Sequence, residues 1–202
     1  MSNPLTSFHP PVVSRSIIGL CVLAFFAQAQ MPETLMIEGA LWPLGPDFAP
    51  WQVLSYAFLH GGMTHLLFNM LGLYMFGGDV ERIIGPSRFL LLYIASVVCA
   101  ALAQLAVTAL SGSPWPTVGA SGGLFGVMLV FALLFPKAKI VPLIPPIPMP
   151  AWLFVSLYAG LELWMGVTGT QQGVAHFAHL GGLVGGILVW FYWRVEFARR
   201  AR

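Results

Sequence analysis

Charge is what this sequence has least of. Asp, Glu, Lys and Arg together make up 8% of its 202 residues, where a soluble domain carries roughly 25%. With 58% hydrophobic residues, the chain reads as an integral membrane protein rather than a soluble domain. Basic residues are too few to build a nucleic-acid face. The two cysteines, Cys21 and Cys99, exclude a disulfide framework, and no polar neighbour in sequence would activate either thiolate. No His-Glu-x-x-His run occurs, so the zinc-protease pattern is missing, and the histidines show no adjacent carboxylate in sequence. No metal or cofactor is expected.

What remains is apolar and helical in pattern. Six apolar segments, 17–30, 63–78, 87–110, 121–135, 151–168 and 174–193, leave little room for anything but a single all-α polytopic bundle. The expected organisation is a short N-terminal tail over 1–16, a six-helix membrane domain over 17–194 and a basic tail over 195–202. Lys and Arg near span ends stay on the cytoplasmic side. An N terminus placed inside puts all nine there: Arg15, Arg82, Arg88, Lys137, Lys139, Arg194, Arg199, Arg200 and Arg202. Both termini are therefore expected in the cytoplasm. The first segment, with Arg15 before it and Ala27-Gln28-Ala29 at its end, also resembles a cleavable signal; it is read as a retained helix because cleavage would leave five spans.

The links between segments carry their own signals. Residues 31–62 mix Glu33, Glu38 and Asp47 with Trp42, Phe48, Trp51, Tyr56 and Phe58, the composition of an external loop lying in the headgroup region. Residues 136–150 hold six prolines, exclude a helix and read as a stiff apolar link. The fourth segment is short, about 15 residues or roughly 22 Å of helix against a hydrocarbon core near 30 Å. With Lys137 and Lys139 at its inner end, its outer end starts below the membrane surface, at Ser121.

Polar groups inside apolar segments are costly and point to function. Segments two, four and six enter from the outside in this topology, and each places polar residues near its start: His65 and Asn69, Ser121, and His179, the last expected about six residues or roughly 9 Å into its segment. His65 and Asn69 share a helix face. Gly122 and Gly126, with Gly182 and Gly186, form two small-xxx-small faces that let helices approach closely. Their packing would bring Ser121 Oγ to His179, the arrangement that activates a serine. Backbone N–H groups at a helix start, with His65 and Asn69, would supply donors to an oxyanion. Of seven acids, only Glu162, in the outer half of the fifth segment, lies near the depth of His179. The expectation is a Ser-His dyad, with Glu162 making a structural hydrogen bond.

These motifs resemble the rhomboid family of intramembrane serine proteases. The resemblance rests on Gly119-Ala120-Ser121-Gly122 as a Gly-x-Ser-Gly box, on His179 followed by Gly182 and Gly186, on His65 and Asn69 within 60–69, and on 77–85, which is similar to the family's turn after its second helix. It implies a six-helix core, a nucleophile at Ser121, a base at His179, oxyanion donors at His65 and Asn69, close packing at Gly119, Gly122, Gly126, Gly182 and Gly186, and small residues at the cleavage point. The spacing to Gly182 selects His179 over His176. Two positions depart from the family: Gln52 follows Trp51 where many members have Arg, and Phe125 stands where some have Tyr. The expected partners are transmembrane protein substrates and the bilayer, the expected location a prokaryotic inner membrane. Two rivals use the same residues: a pseudoprotease that binds transmembrane helices without cutting them, and a proton relay through His65, His176 and His179.

Overall fold

The structure, a computed structural model, describes residues 10–143, 145–170 and 174–200. The described residues form nine α-helices and one short hairpin. α1 (Val12–Gln30) is followed by α2 (Pro32–Gly39) and α3 (Gln52–Ser55), the latter continuing as a 3-10 turn over Tyr56–Phe58. α4 (Met63–Gly72) passes through a π-helical turn, Leu73–Gly77, into α5 (Gly78–Ile84) without leaving helical dihedrals. α6 (Pro86–Ser111), α7 (Ser121–Leu134), α8 (Ala151–Thr168) and α9 (His176–Arg200) complete the bundle. α1, α6 and α8 are long and apolar enough to cross a membrane, and α7 is a shorter apolar helix.

Hydropathy marks where lipid contact is tolerated, not where a helix stops, and several boundaries move accordingly. The second segment runs on as helix to Ile84, so 78–84 are helical rather than a turn. The chain turns at Gly85, whose φ of 84° is glycine's territory, and Pro86 then opens α6. α9 opens at His176, two residues later than its apolar run begins. The proline-rich link is non-helical, as its composition requires, and adds a two-residue ladder: β1 (Lys139–Ile140) pairs antiparallel with β2 (Met149–Pro150).

α7 is the axis of the fold. Ten of its fourteen residues are buried, enclosed by α6, α8, α9 and the helix over 63–84. α9 meets it on one glycine edge and α6 on another. A Cβ at Gly182 would collide with the Gly122 carbonyl, and one at Gly186 would lie 2.8 Å from the Gly126 carbonyl. The neighbouring pair, Gly181 and Gly185, faces α6 instead: a Cβ would lie 2.7 Å from the Cys99 carbonyl at Gly181 and 2.6 Å from Ser96 Cα at Gly185. The doubled glycines of 181–186 thus serve two interfaces. α1 and α8 lie outside this trio and turn Leu20, Leu23, Phe26, Trp152, Leu161, Trp164 and Val167 outward, an apolar exterior suited to lipid.

Two polar anchors hold α1 and the long first loop. Buried Glu81 accepts hydrogen bonds from Val13 N–H and Ser14 N–H, both at 2.8 Å, capping α1 with a side chain 67 residues away. At the other end, Gln28 exchanges two hydrogen bonds with the His60 backbone. Gln52, where the family's Arg would stand, is buried and does the anchoring as a neutral amide. It donates to the carbonyls of Asp47 (2.9 Å) and Ile37 (3.3 Å) and accepts from Trp42 N–H. Trp51 adds a bond to the Glu38 carbonyl and Ser55 one to Gly39.

Candidate active site

Ser121 is the first residue of α7, and the loop before it is fixed from two sides. Leu41 and Thr117 exchange backbone hydrogen bonds, and Gly119 N–H donates to the Tyr56 carbonyl at 2.9 Å. Tyr56 is itself buried, with its hydroxyl on the Val97 carbonyl of α6. Gly119 has φ of 131°, in the left-handed region, and a Cβ there would come within 2.7 Å of the His65 ring. The expectation of a helix-packing role at Gly119 is corrected. It lies in the turn ahead of α7, and its missing side chain makes room for an imidazole, not for a helix.

His179 lies three residues into α9, shallower than the six counted from the apolar run, because α9 starts at His176. Its Nε2 is 2.8 Å from Ser121 Oγ and its Nδ1 is 2.8 Å from Glu162 Oε2. Phe125, one turn along α7 from Ser121, stacks on the imidazole with centroids 4.4 Å apart and planes 6° apart. An Nε2 that accepts from the serine hydroxyl leaves Nδ1 as the protonated nitrogen, which requires an acceptor on the far side. The Glu162 carboxylate is that acceptor. The hydrogen bond expected of Glu162 thus falls on His179, behind the Ser121–His179 pair.

Glu162 is buried and is the one acid in the fifth apolar segment. Its oxygen Oε2 also meets His176 Nδ1 at 2.7 Å, and His176 Nε2 meets the Thr170 carbonyl at 3.1 Å. Gly166, one turn beyond Glu162, lets α8 close on α9: a Cβ there would sit 3.0 Å from the Phe177 ring and 3.2 Å from His176 Cβ. Tyr158, Glu162 and Gly166 recur at four-residue spacing on one face of α8, a pattern left unread in the sequence that would tie Glu162 to the site; Tyr158 packs on Phe125. Glu162, His176 and His179 place three ligand-type atoms within 4.8 Å of one another, so a carboxylate does lie near the histidines, contrary to the reading from sequence spacing. Hydrogen bonds among these groups and to Ser121 and Thr170 account for all of these contacts, and the three are read as a hydrogen-bonded network.

His65 and Ser121 both approach Gly119: the position of a Gly119 Cβ is 2.7 Å from His65 Nε2 and 3.6 Å from Ser121 Oγ. Gly61 N–H donates to His65 Nδ1 at 3.4 Å, which leaves Nε2 to carry the proton. Asn69 is buried one turn further along and donates to the His65 carbonyl at 3.0 Å, keeping a second amide proton. His60, in the turn before α4, packs edge-on to His65 with centroids 5.2 Å apart. Burial pushes His60 down to about 4, with the charge of His65 adding to the effect, so His60 is neutral at pH 7. Ser121, His65 and His179 are each half-buried.

The arrangement can do acyl-transfer chemistry: a hydroxyl, an imidazole to take its proton, a carboxylate behind the imidazole, and unpaired N–H groups at the helix start. Fold and site together define a class, a helical bundle with membrane-length apolar helices and a Ser-His-Glu line at the opening of its most enclosed helix. The chain belongs to the rhomboid family, for the Rhomboid domain model matches residues 47–195. It is similar to Rhomboid protein 1, mitochondrial, of Saccharomyces cerevisiae, 33% identical over 94% of this chain and 56% of that protein. It is also similar to Rhomboid protease GluP of Bacillus subtilis, 30% identical over 87% of this chain and 34% of that one. Rhomboid protease GlpG of Klebsiella pneumoniae is 29% identical over 92% of this chain and 64% of that protein. The chain thus spans less than two thirds of the length of these relatives.

Proposed function

We propose that the protein is an intramembrane serine endopeptidase that cleaves transmembrane or membrane-anchored proteins near the outer membrane face. The observation that carries the reading is the 2.8 Å contact between Ser121 Oγ and His179 Nε2 at the start of a helix too short to span. Membership of a family that includes relatives named as proteases supports it.

In this reading Ser121 Oγ attacks the scissile carbonyl carbon while its proton passes to His179 Nε2. The carbonyl π pair moves onto oxygen, and the oxyanion is received by backbone N–H groups at the start of α7, by His65 Nε2–H and by the free amide proton of Asn69. His179 then gives its proton to the leaving amine, the C–N bond breaks, and water repeats the sequence on the acyl-enzyme. A substrate helix is closed by its own hydrogen bonds, so the preferred substrate carries helix-weakening residues near small side chains at the cut.

The membrane arrangement proposed with it has six spans, over the segments 17–30, 63–78, 87–110, 121–135, 151–168 and 174–193, within a domain at 17–194. Short tails at 1–16 and 195–202, of which 1–9 and 201–202 lie outside the described residues, face the cytoplasm. All nine Lys and Arg then lie inside, and the starts of α4, α7 and α9, which bear His65, Ser121 and His179, open outward. The membrane assigned is a prokaryotic inner membrane; two of the relatives come from bacteria, and the yeast relative is named mitochondrial.

Purified protein in detergent should cleave a model transmembrane substrate and react with a fluorophosphonate probe. Ser121→Ala should abolish both, and His179→Ala should lower both by roughly 1000-fold or more. Cleavage that survives Ser121→Ala would end the proposal, and probe labelling without cleavage of any transmembrane substrate would favour the helix-binding pseudoprotease.

A further inference from the structure

His176 has an acceptor at each ring nitrogen. Nδ1 lies 2.7 Å from Glu162 Oε2 and Nε2 lies 3.1 Å from the Thr170 carbonyl oxygen. A carbonyl oxygen only accepts, and so does an ionised carboxylate. Beside an ionised Glu162, both contacts are hydrogen bonds together only when both nitrogens carry protons, that is, when His176 is an imidazolium. Its side chain is 6% exposed and that of Glu162 is 9% exposed, so an unpaired carboxylate here would be costly.

With Glu162 ionised and His179 Nε2 accepting from Ser121, one proton assignment satisfies every contact. Ser121 Oγ–H donates to His179 Nε2, His179 Nδ1–H and His176 Nδ1–H both donate to Glu162 Oε2, and His176 Nε2–H donates to Thr170. The cluster is then electrically neutral, with His176 cationic, Glu162 anionic and His179 neutral. One carboxylate oxygen is aimed by two imidazoles from successive turns of α9, and the His176 ring is pinned in turn by a carbonyl from the chain leaving α8.

Building on the protease reading, we infer that Glu162 and His176 act as one positioning unit. His176 neutralises Glu162 and holds its carboxylate on His179 Nδ1, so that Nε2 stays aimed at Ser121. Neither residue touches the reacting atoms. Their effects on His179 are opposite in sign. The Glu162 carboxylate stabilises the His179 imidazolium that forms on attack, and the His176 cation offsets part of that stabilisation. The other titratable groups facing the unit are Tyr158 on α8 and, across Gly119, His65 on α4.

The test compares Glu162→Gln and His176→Gln with the parent protein in detergent, using a transmembrane substrate and the fluorophosphonate probe. Glu162→Gln should lower kcat by roughly 100-fold with KM little changed, and move the acidic limb of the pH–rate profile to lower pH. His176→Gln should lower kcat by about tenfold and move that limb to higher pH, because the carboxylate is no longer offset. A purely structural role would move neither limb. Where a variant does not fold, 15N NMR of the histidine-labelled parent decides, the His176 resonances being identified by their absence in whichever His176 variant folds, Gln or Asn. Two protonated ring nitrogens at pH 7 support the inference; one bare nitrogen overturns it. Unchanged kcat and pH profile in both folded variants also overturn it, while leaving the protease reading intact so long as Ser121→Ala is inactive.

Discussion

The His179 imidazole lies flat on the Phe125 ring, 4.4 Å between centroids and 6° between planes. Rotation about the His179 side chain is thus blocked on one face by Phe125, while Ser121 and Glu162 hold the ring by its edge. Phe125→Leu keeps an apolar side chain in the gap but removes the flat surface. A stacked pair contributes about 0.5–1.5 kcal/mol beyond burial, so kcat should fall roughly twofold to tenfold with KM nearly constant. Steady-state kinetics on a model transmembrane substrate check it; a rise in KM at constant kcat would mean that Phe125 contacts substrate rather than base.

The glycines of α9 separate a packing claim from a composition claim. A Cβ at Gly182 has no room beside the Gly122 carbonyl, whereas one at Gly160 on α8 meets nothing within 4 Å. Gly182→Ala should force α9 away from α7 and lengthen the Ser121–His179 contact, lowering the rate of fluorophosphonate labelling by roughly 10–100-fold. Gly160→Ala should leave labelling unchanged. Equal rates in the two variants would remove the argument that backbone contact between α7 and α9 sets the site.

How far the sequence could be read depended on what kind of signal each residue leaves. Ser121, His65, Asn69 and His179 are polar residues in apolar runs at corresponding depths, and small-residue spacing on two helices linked the runs. The outer helices α1 and α8 were visible as hydropathy alone. Glu162 was placed at the right depth but not bonded to His179, because that contact depends on α8 closing on α9 at Gly166, a rotation about the helix axis that hydropathy does not report. The spacing to Gly182 singles out His179 over His176, yet with α9 opening at His176 both imidazoles reach one carboxylate oxygen. The small-xxx-small pattern of Gly182 and Gly186 marks one face of α9, and Gly181 and Gly185 serve a second, against α6. Glu81 read as part of a turn; its cap on α1 crosses 67 residues, and no local pattern marks such a pair.

That cap makes a prediction of its own. The first N–H groups of α1 at Val13 and Ser14 are served by the two oxygens of Glu81, a residue with no exposed surface. Glu81→Ala leaves both donors without a partner, and at about 1–2 kcal/mol each should destabilise the protein by roughly 2–4 kcal/mol. Glu81→Gln retains one acceptor and should lose about half as much. Thermal or denaturant unfolding in detergent measures the order; a Glu81→Ala protein as stable as the parent would show that α1 is held by its apolar contacts alone.

His60 gives the protein a pH dependence unrelated to catalysis. The residue is 2% exposed, and burial, reinforced by His65 and opposed by the Phe58 carbonyl, lowers its pKa from 6.5 to about 4. Between those values the unfolded chain binds a proton that the folded protein refuses, so stability falls as pH is lowered through this window and levels off below about 4. Above about 6.5 both states are neutral and the contribution is complete. The loss across the window is of order 1–3 kcal/mol. Unfolding midpoints in detergent at pH 7.5, 6 and 4.5 should therefore decline in that order. His60→Phe, which keeps a ring against His65 and removes the titrating group, should flatten the decline; an unaltered slope in that variant would assign the acid sensitivity to another group.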